Sequence, residues 1–362
     1  MERMPAPQTL RFSGNLDLLR SFAVMSVYFS HLYITAFRDG SFRDLGRFGV
    51  IIFFVHTSCV LMASLERLEQ SDQSDLSLTL AFWVRRFFRI YPLAILCVIF
   101  VAVVHVPILP LSTYQWIGWK AFAYNLSLTQ NLSYYHNIDI IGPLWSLPLE
   151  VQMYVLLPFG YFAIRGGRRY RSLGLWVLSV ALALLQPRIW LLHHFAVLLY
   201  APSFTSGIVA FDLIRSRQGS FKLPAWTWPI GILALIIAFG PHNDVSLINK
   251  RYRIWALSLV LGVFYSFVRE GRSHWCNHIF HWIAEHSYGI YLSHAIVLWF
   301  VFNRMHAFSM WLRIPILIIL SAGVPVLLYR SVEKPLIVFG GNIARRILGR
   351  PEAIQNPEPV AG

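Results

Sequence analysis

The first apolar segment of the chain carries three ionisable side chains whose spacing could support chemistry. Arg20 and His31 are eleven residues apart, which is within ~20° of three full helical turns, so they share one helix face and lie ~16 Å apart along its axis. Asp17 comes one turn before Arg20 on nearly the same face and could pair with it. Ionisable groups inside an apolar helix are costly and are typical of functional sites. The alternative is a structural ion pair and a hydrogen-bonded core histidine.

A second group of basic residues opens a later apolar segment. Arg86 and Arg89 are three residues apart and are therefore neighbours on one helix face. Planar guanidinium groups bind phosphate through paired hydrogen bonds, so these two residues could hold an anionic ligand at the cytoplasmic edge of a membrane. The alternative is that they only anchor the cytoplasmic end of a helix.

Glu150 is an acidic residue in the outer third of another apolar segment, between Trp145 and Tyr154. His31 is expected at a comparable depth in the membrane. A carboxylate beside an imidazole orients the ring and raises its basicity. The sequence therefore predicts that Glu150 lies next to His31.

Tyr288, Tyr291 and His294 follow one another along the ninth apolar segment. Their hydroxyl and imidazole groups could bind a substrate or polarise a carbonyl, or they could only form hydrogen bonds between helices. The remaining histidines without a visible partner in the sequence are interpreted as structural: His56, His105, His193 and His194.

The composition indicates which elements position these residues. Of the 362 residues, 56% are hydrophobic and 13% are charged, whereas soluble domains contain about 25% charged residues. The apolar residues form blocks of about twenty, long enough to cross a bilayer as helices. We therefore predict an all-α, polytopic membrane helix bundle of about ten transmembrane helices: 16–37, 46–65, 86–106, 145–164, 172–187, 193–214, 226–240, 254–269, 284–303 and 311–330.

The basic residues predict the topology of this bundle. If both termini are cytoplasmic, the cytoplasmic segments contain twice as many lysines and arginines as the outer segments. This bias supports an even number of spans with both ends inside. Residues 1–340 are predicted to form the transmembrane domain, and residues 341–362 a disordered cytoplasmic tail. Nucleic-acid binding is not expected despite the net charge of +14, since the basic segments carry none of the corresponding motifs. The cysteines have no metal-binding spacing, so no metal is predicted.

The longest outer segment, 107–144, is rich in aromatic and amide side chains such as Trp116, Trp119 and Gln130. Aromatic residues concentrate at the membrane–water interface, and they could also form a platform for an extracellular sugar. The sequence supports both interpretations.

Taken in order, these motifs resemble the integral membrane acyltransferase family three, the O-acetyltransferase-like proteins of bacterial envelopes. The family's patterns are L-D-x-L-R with an R-x10-H spacing, R-R-x-x-R-I-x-P, W-S-L-x-x-E-x-Q-x-Y, Y-G-I-Y-L-x-H and a closing E-K-P. They are matched at residues 16–31, 85–92, 145–154, 288–294 and 333–335. The second apolar segment departs from the family's F-F-x-I-S-G-F pattern, because His56 and Thr57 stand where small residues are usual.

The resemblance implies that acyl-CoA, most often acetyl-CoA, binds from the cytoplasm as a co-substrate, without a tightly bound cofactor. A saccharide or glycolipid hydroxyl would accept the acyl group on the outer side, within membrane lipid. His31 would be the general base or a transient acyl carrier, and Glu150 would orient it. The substrate-binding residues implied, with the arginines on the donor phosphates, are Asp17, Arg20, Arg86, Arg89, Trp145, Tyr154, Tyr288, Tyr291 and His294.

Two other functions are compatible with a polytopic membrane protein. Intramembrane ionisable residues also mark the path of a transporter for a sugar or a lipid-linked oligosaccharide, and the chain could be a structural partner in an envelope complex. No repeated half and no pair of broken helices is visible in the sequence, and neither function requires the spacing of Arg20 and His31. No motif names the acceptor, the acyl group or the oligomeric state.

Overall fold

The computed structural model of the protein describes residues 13–69, 73–108, 112–133, 137–166, 170–193, 195–216, 222–239, 247–271 and 274–350. Within these ranges the fold is all-α, with no strand and one isolated bridge between Leu223 and Val268. The α-helices are α1 (Gly14–Phe37), α2 (Arg43–Leu68), α3 (Asp75–Val104), α4 (Trp119–Ser127), α5 (Leu147–Ile164), α6 (Arg171–Leu185), α7 (Trp190–His193), α8 (Val197–Ser216), α9 (Thr227–Phe239), α10 (Leu247–Phe267), α11 (His274–Trp299), α12 (Met310–Leu328) and α13 (Lys334–Ile347). Two π-helices cover Phe300–Arg304 and Tyr329–Glu333, and two 3-10 helices cover Gln130–Leu132 and Gly142–Ser146.

Each of the ten apolar segments predicted from the sequence overlaps one of these α-helices. In the described part of the chain, five helical stretches are long and apolar enough to cross a membrane: Arg43–Leu68, Asp75–Val104, Gly142–Ile164, Val197–Ser216 and Met310–Ile347. The protein is therefore an all-α integral membrane protein, and the number of ten spans stays a prediction. α13 continues past residue 340, the predicted end of the transmembrane domain; residues 351–362 of the predicted tail lie outside the described ranges.

The start of α1 is fixed by a side-chain cap. The Ser13 hydroxyl accepts the backbone N–H of Leu16 at 3.1 Å, and it donates to the Glu270 carboxyl at 2.7 Å. Burial raises the pKa of the Glu270 carboxyl, and its hydrogen bonds oppose that rise. These contacts tie the first turn of α1 to the segment that links α10 to α11, and so fix the height of α1 in the bundle.

α3 begins earlier than predicted, at Asp75 rather than near residue 86. The Ser74 side chain accepts the N–H of Ser77, and Asp75 in the first turn complements the helix dipole. Arg86 and Arg89 consequently lie about three to four turns inside the helix. They therefore do not stand in the first turn of the helix, as a start near residue 86 implied, because the Ser74 cap begins α3 earlier. Their place at the cytoplasmic edge of the membrane stays a prediction.

α1 packs lengthwise between α2 and α11. Contacts with α11 run in the same order along both helices, from Ser21 with Phe280 to His31 with His294, so the two helices are parallel. α1 and α2 approach closely at Gly49, where a Cβ atom would lie 2.6 Å from a backbone carbonyl of α1. The polar residues of α1 therefore face neighbours whose positions are well defined.

The described part of the segment 107–144, which is predicted to lie on the outer side, packs around a buried amide. Asn125 is fully buried and donates to the carbonyl of Ile138 at 2.8 Å, which closes the segment on itself. Trp116 and Trp119 pack edge to face 5.0 Å apart and remain substantially exposed. This arrangement is compatible with both an interfacial belt and a sugar platform.

Candidate active site

A cavity of about 60 Å³ lies inside the bundle between α1, α2, α3, α5 and α11. At 10–15 Å³ for each water molecule, it has room for about four waters. One wall, from α2, is mainly apolar, and the opposite wall is strongly polar. We call this cavity the arginine chamber; its principal polar residues are Arg20, Arg86, Arg89, Glu150, Tyr154 and Ser287.

Arg20 enters the arginine chamber from α1 and is held by α11. Its Nε atom donates to the Ser287 hydroxyl oxygen at 2.7 Å. The predicted pairing of Arg20 with Asp17 was wrong, because Asp17 accepts a hydrogen bond from Nδ1 of His281 at 2.9 Å. α11 runs beside α1 over this turn and offers a different partner to each residue. Asp17 is not among the chamber-lining residues.

Arg89 is locked in place by a buried ion pair. Its guanidinium donates to the Glu333 carboxylate at 2.8 Å, and the two side chains are 8% and 0% exposed. The guanidinium also lies 5.8 Å from the centre of the Tyr288 ring. Glu333 is the last residue of the π-helix Tyr329–Glu333, an irregular turn of a kind often found at functional sites. Sequence reasoning missed this role of Glu333, although the closing E-K-P motif contains it.

Arg86 keeps unused hydrogen-bonding capacity. Its guanidinium lies 5.9 Å from the centre of the Phe82 ring, and its buried Nε atom has no hydrogen-bond partner among the described residues. The predicted fork of Arg86 and Arg89 is therefore asymmetric. Arg89 is a fixed, charge-compensated wall of the chamber, and Arg86 is the guanidinium that can accept a new anionic partner.

Glu150 lies in the arginine chamber and not beside His31. Tyr154, one turn later on α5, donates its hydroxyl to the Glu150 carboxylate, and Glu150 lines the chamber together with Arg20. No hydrogen bond or ion pair joins Glu150 to His31 in the described part of the chain. The predicted contact was wrong, because α5 begins only at Leu147 and its first turn enters the bundle at the level of the arginines.

His31 and His294 form a directly bonded pair, which we call the histidine pair. Nδ1 of His31 and Nε2 of His294 are 2.9 Å apart, and the ring centres are 5.0 Å apart. His294 is buried and His31 is half-buried. The prediction that Arg20 and His31 share one face of α1 is confirmed, since both contact α11. Neither histidine lines the arginine chamber.

Tyr288, Tyr291 and Trp145, which the sequence placed in the site, lie near the arginine chamber and the histidine pair. Tyr288 and Tyr291 line the chamber, and both hydroxyls donate to backbone carbonyls, of Ile90 at 2.7 Å and of Pro143 at 2.6 Å. They are therefore anchored between helices in this state. Trp145 does not line the chamber and packs against an aromatic ring of α8.

His56 belongs to the arginine chamber, although sequence reasoning interpreted it as structural. It is buried on α2 and lines the cavity together with Thr57. The signal was available, since these two residues are the departure from the family pattern. His105 follows the last residue of α3 in a left-handed conformation with φ 59°. His194 and the side chain of His193 lie outside the described part of the chain. No cluster of metal-binding side chains occurs in the described ranges.

Comparisons with known proteins agree with the order of the motifs. A family model described as an acyltransferase domain matches residues 13–330. The peptidoglycan O-acetyltransferase OatA of Listeria monocytogenes is 25% identical over 329 residues, covering 78% of this chain and 49% of that protein. The O-acetyltransferase OatA of Staphylococcus aureus is 30% identical over 165 residues, covering 44% of this chain and 26% of that protein.

A third relative is the putative peptidoglycan O-acetyltransferase YrhL of Bacillus subtilis, 33% identical over 158 residues, which cover 41% of this chain and 23% of that protein. The chain thus spans half or less of the length of these curated relatives. No solved structure matches it. Since the family match runs from residue 13 to residue 330, and so includes every α-helix that builds the arginine chamber and the histidine pair, the chain belongs to acyltransferase family three.

Proposed function

We propose that this protein is a membrane O-acyltransferase. It moves an acyl group, first of all acetyl, from cytoplasmic acyl-CoA to a hydroxyl group of a cell-surface or exported saccharide. The observation that carries the proposal is the position of Arg20 and His31 on one face of α1. They lie ~16 Å apart along the helix, with an arginine-lined chamber at one end and an imidazole at the other.

The arginine chamber has the charge expected of a site for the phosphates of the donor. Three guanidiniums line it and one carboxylate opposes them, and even after Glu333 compensates Arg89 the balance is positive. Arg86, with its unused donor, and Arg20 are the proposed phosphate ligands. The chamber has room for a phosphate group but not for the adenosine, which would lie nearer the start of α1.

The separation of the two regions suits the donor's shape. The extended pantetheine arm that joins the phosphates of CoA to its sulfur is comparable in length with the ~16 Å from Arg20 to His31. With the phosphates in the chamber, the thioester would therefore reach the histidine pair. Tyr291 lines the chamber, and its carbonyl oxygen accepts a hydrogen bond from His294, so it stands between the two regions.

His31 has two possible roles at the thioester, and both remain within the proposal. As a general base, it takes the proton of the acceptor hydroxyl while that oxygen attacks the thioester carbonyl and CoA leaves as the thiol. As an acyl carrier, its ring nitrogen attacks first, CoA leaves, and the hydroxyl then takes the acyl group from the imidazole. Both roles require a ring nitrogen with a free lone pair.

The proposed topology has ten spans, with both termini on the cytoplasmic side of the inner membrane. The parallel packing of α1 and α11 supports it, because these helices correspond to the first and ninth predicted spans, which cross in the same direction. The acceptor is proposed to be a saccharide polymer. Peptidoglycan is the first to test, since the Listeria monocytogenes relative is named as a peptidoglycan O-acetyltransferase and the Bacillus subtilis relative as a putative one.

The test is transfer of a labelled acetyl group from acetyl-CoA to a saccharide acceptor by the purified protein in liposomes. In parallel, surface glycans from wild-type cells, deletion cells and deletion cells complemented with His31→Ala are compared by mass. We expect acetyl esters only in the wild type. Saccharide flux across the liposome membrane without ester formation would replace this proposal with the transporter alternative.

A further inference from the structure

The hydrogen bonds of the histidine pair determine which ring nitrogens carry hydrogen. Nδ1 of His294 lies 2.6 Å from the carbonyl oxygen of Tyr291 and 3.2 Å from that of Ile290. A backbone carbonyl oxygen can only accept a hydrogen bond. Nδ1 of His294 must therefore carry a hydrogen and donate it to the backbone of α11.

This bond determines the other nitrogen of His294. A neutral imidazole carries one N–H and one lone pair, so Nε2 of His294 is an acceptor. His294 is 2% exposed, and neither ring of the pair has a carboxylate partner among the described residues. A buried imidazole without an opposite charge is held neutral, so the assignment applies to the resting pair.

The acceptor at Nε2 of His294 in turn determines the tautomer of His31. Nε2 of His294 lies 2.9 Å from Nδ1 of His31, and two lone pairs cannot share a hydrogen bond. Nδ1 of His31 must therefore carry its hydrogen, which leaves the lone pair on Nε2. The chain of donors runs from Nδ1 of His31 to Nε2 of His294, and from Nδ1 of His294 to the carbonyl of Tyr291.

We propose that His294 is a positioning residue, which holds His31 as its Nδ1–H tautomer and thereby makes Nε2 the reactive nitrogen. Its catalytic consequence rests on the proposed function, but the tautomer can be measured without any turnover. His294 takes the place that the sequence assigned to Glu150. An acceptor of this kind normally selects the tautomer and orientation of a catalytic or metal-binding histidine.

A neutral partner differs from a carboxylate in one respect. His294 can orient His31, but it offers no negative charge to stabilise a protonated His31 ring. Removing His294 should therefore lower the rate of the chemical step through loss of orientation, and should leave donor binding in the arginine chamber unchanged. We expect kcat to fall about 100-fold in His294→Leu, at the lower end of the ~10²–10⁴-fold range for acid–base catalysis, with KM for acetyl-CoA unchanged.

The decisive measurement is NMR of the full chain in nanodiscs, with nitrogen-isotope-labelled histidine. The His31 signals are identified by their loss in His31→Asn. We expect a hydrogen on Nδ1 of His31 and none on Nε2 in the wild type. His294→Gln, whose amide oxygen can accept near the position of Nε2, should preserve this form and keep kcat within a few-fold. His294→Leu should release His31 into the Nε2–H form or a mixture.

His286 offers a matched control on the same helix. It is buried, its Nδ1 bonds the carbonyl of Trp282 at 2.8 Å, and His286→Gln should leave the His31 signals unchanged. A wild-type His31 in the Nε2–H form, or His31 signals that do not change in His294→Leu, would overturn the assignment. If His294→Leu does not fold, the wild-type and His294→Gln spectra still decide. The predicted tautomer in a protein that transfers no acyl group would support the pair and reject the proposed function.

Discussion

The arginine chamber and the histidine pair share one helix but differ in how they are built. The chamber is charged, and its polar wall comes from α1, α3, α5 and α11, with a π-helix supplying the counter-ion of Arg89. The histidine pair is neutral and is made by α1 and α11 alone, through one bond between side chains. The first region depends on many elements for its stability, and the second depends on two helices for its orientation.

This difference separates what each region contributes. Buried charges must be compensated, so a change in the chamber's ion pair is expected to affect folding as well as binding. Replacing a neutral histidine leaves no unpaired charge in the protein interior. Changes in the histidine pair are therefore expected to affect chemistry more than folding. α1 sets the distance between the arginine chamber and the histidine pair. The residues that bond to Arg20 and His31 determine which of their nitrogen atoms remain free to bind a substrate.

The largest effect is predicted for His31→Ala. A positioned base typically contributes ~10²–10⁴-fold, so acyl transfer should fall by at least that order while the protein still folds. Asn should not restore activity, because an amide cannot accept the proton. The measurement is transfer from labelled acetyl-CoA in liposomes, with thermal unfolding as a check. Transfer by His31→Asn within a few-fold of the wild type would make His31 a structural histidine.

Glu333→Ala is predicted to give the largest loss of stability. It leaves the Arg89 guanidinium buried and unpaired, a change that costs about 3–5 kcal/mol, seen as a lower unfolding midpoint or a failure to accumulate in the membrane. The double variant Glu333→Leu, Arg89→Met removes both charges and should recover much of the loss. If Glu333→Ala unfolds like the wild type, Arg89 has another compensating partner and the chamber is less rigid than described.

Arg86→Ala is predicted to impair donor binding without unfolding the protein. A hydrogen bond to a charged group contributes about 1.5–3 kcal/mol, so KM for acetyl-CoA should rise about 10–100-fold with kcat largely kept. Lysine should rescue poorly, because a point charge cannot form paired bonds to phosphate. Arg85→Ala, the adjacent residue outside the chamber lining, is the matched control. An unchanged KM in Arg86→Ala would remove the arginines from donor binding.

The helices and the shared face of Arg20 and His31 could be predicted, because both follow from apolar block length and the 3.6-residue period of one helix. The family could also be predicted from the order of the motifs. The residues on other helices that bond to Asp17 and Arg20 could not be predicted. Spacing within α1 does not reveal that α11 runs beside it in the same direction and offers His281 to Asp17 and Ser287 to Arg20.

The first residue of a helix was the second property that sequence did not determine. The predicted span began at residue 86, whereas the Ser74 cap starts α3 at Asp75, so Arg86 lies about three turns inside the helix. In the same way, the sequence did not show that the first turn of α5, which follows the 3-10 helix Gly142–Ser146, places Glu150 in the chamber with the arginines. Glu333 was passed over because its partner, Arg89, is 244 residues away in the chain.

The smallest effect predicted is the coupling between Glu150 and His31, and it separates the two regions directly. If Glu150 acted through His31, Glu150→Gln would cause no further loss in a His31→Ala background. The two residues have different partners, Tyr154 and His294, and independent sites add within about 0.3–0.5 kcal/mol. The losses in transfer should therefore add, measured as residual labelled product over long incubations. Glu150→Gln with Tyr154→Phe is the positive control, since directly bonded residues couple by about 0.5–3 kcal/mol. A double variant no worse than His31→Ala would mean that the chamber and the histidine pair work as one site.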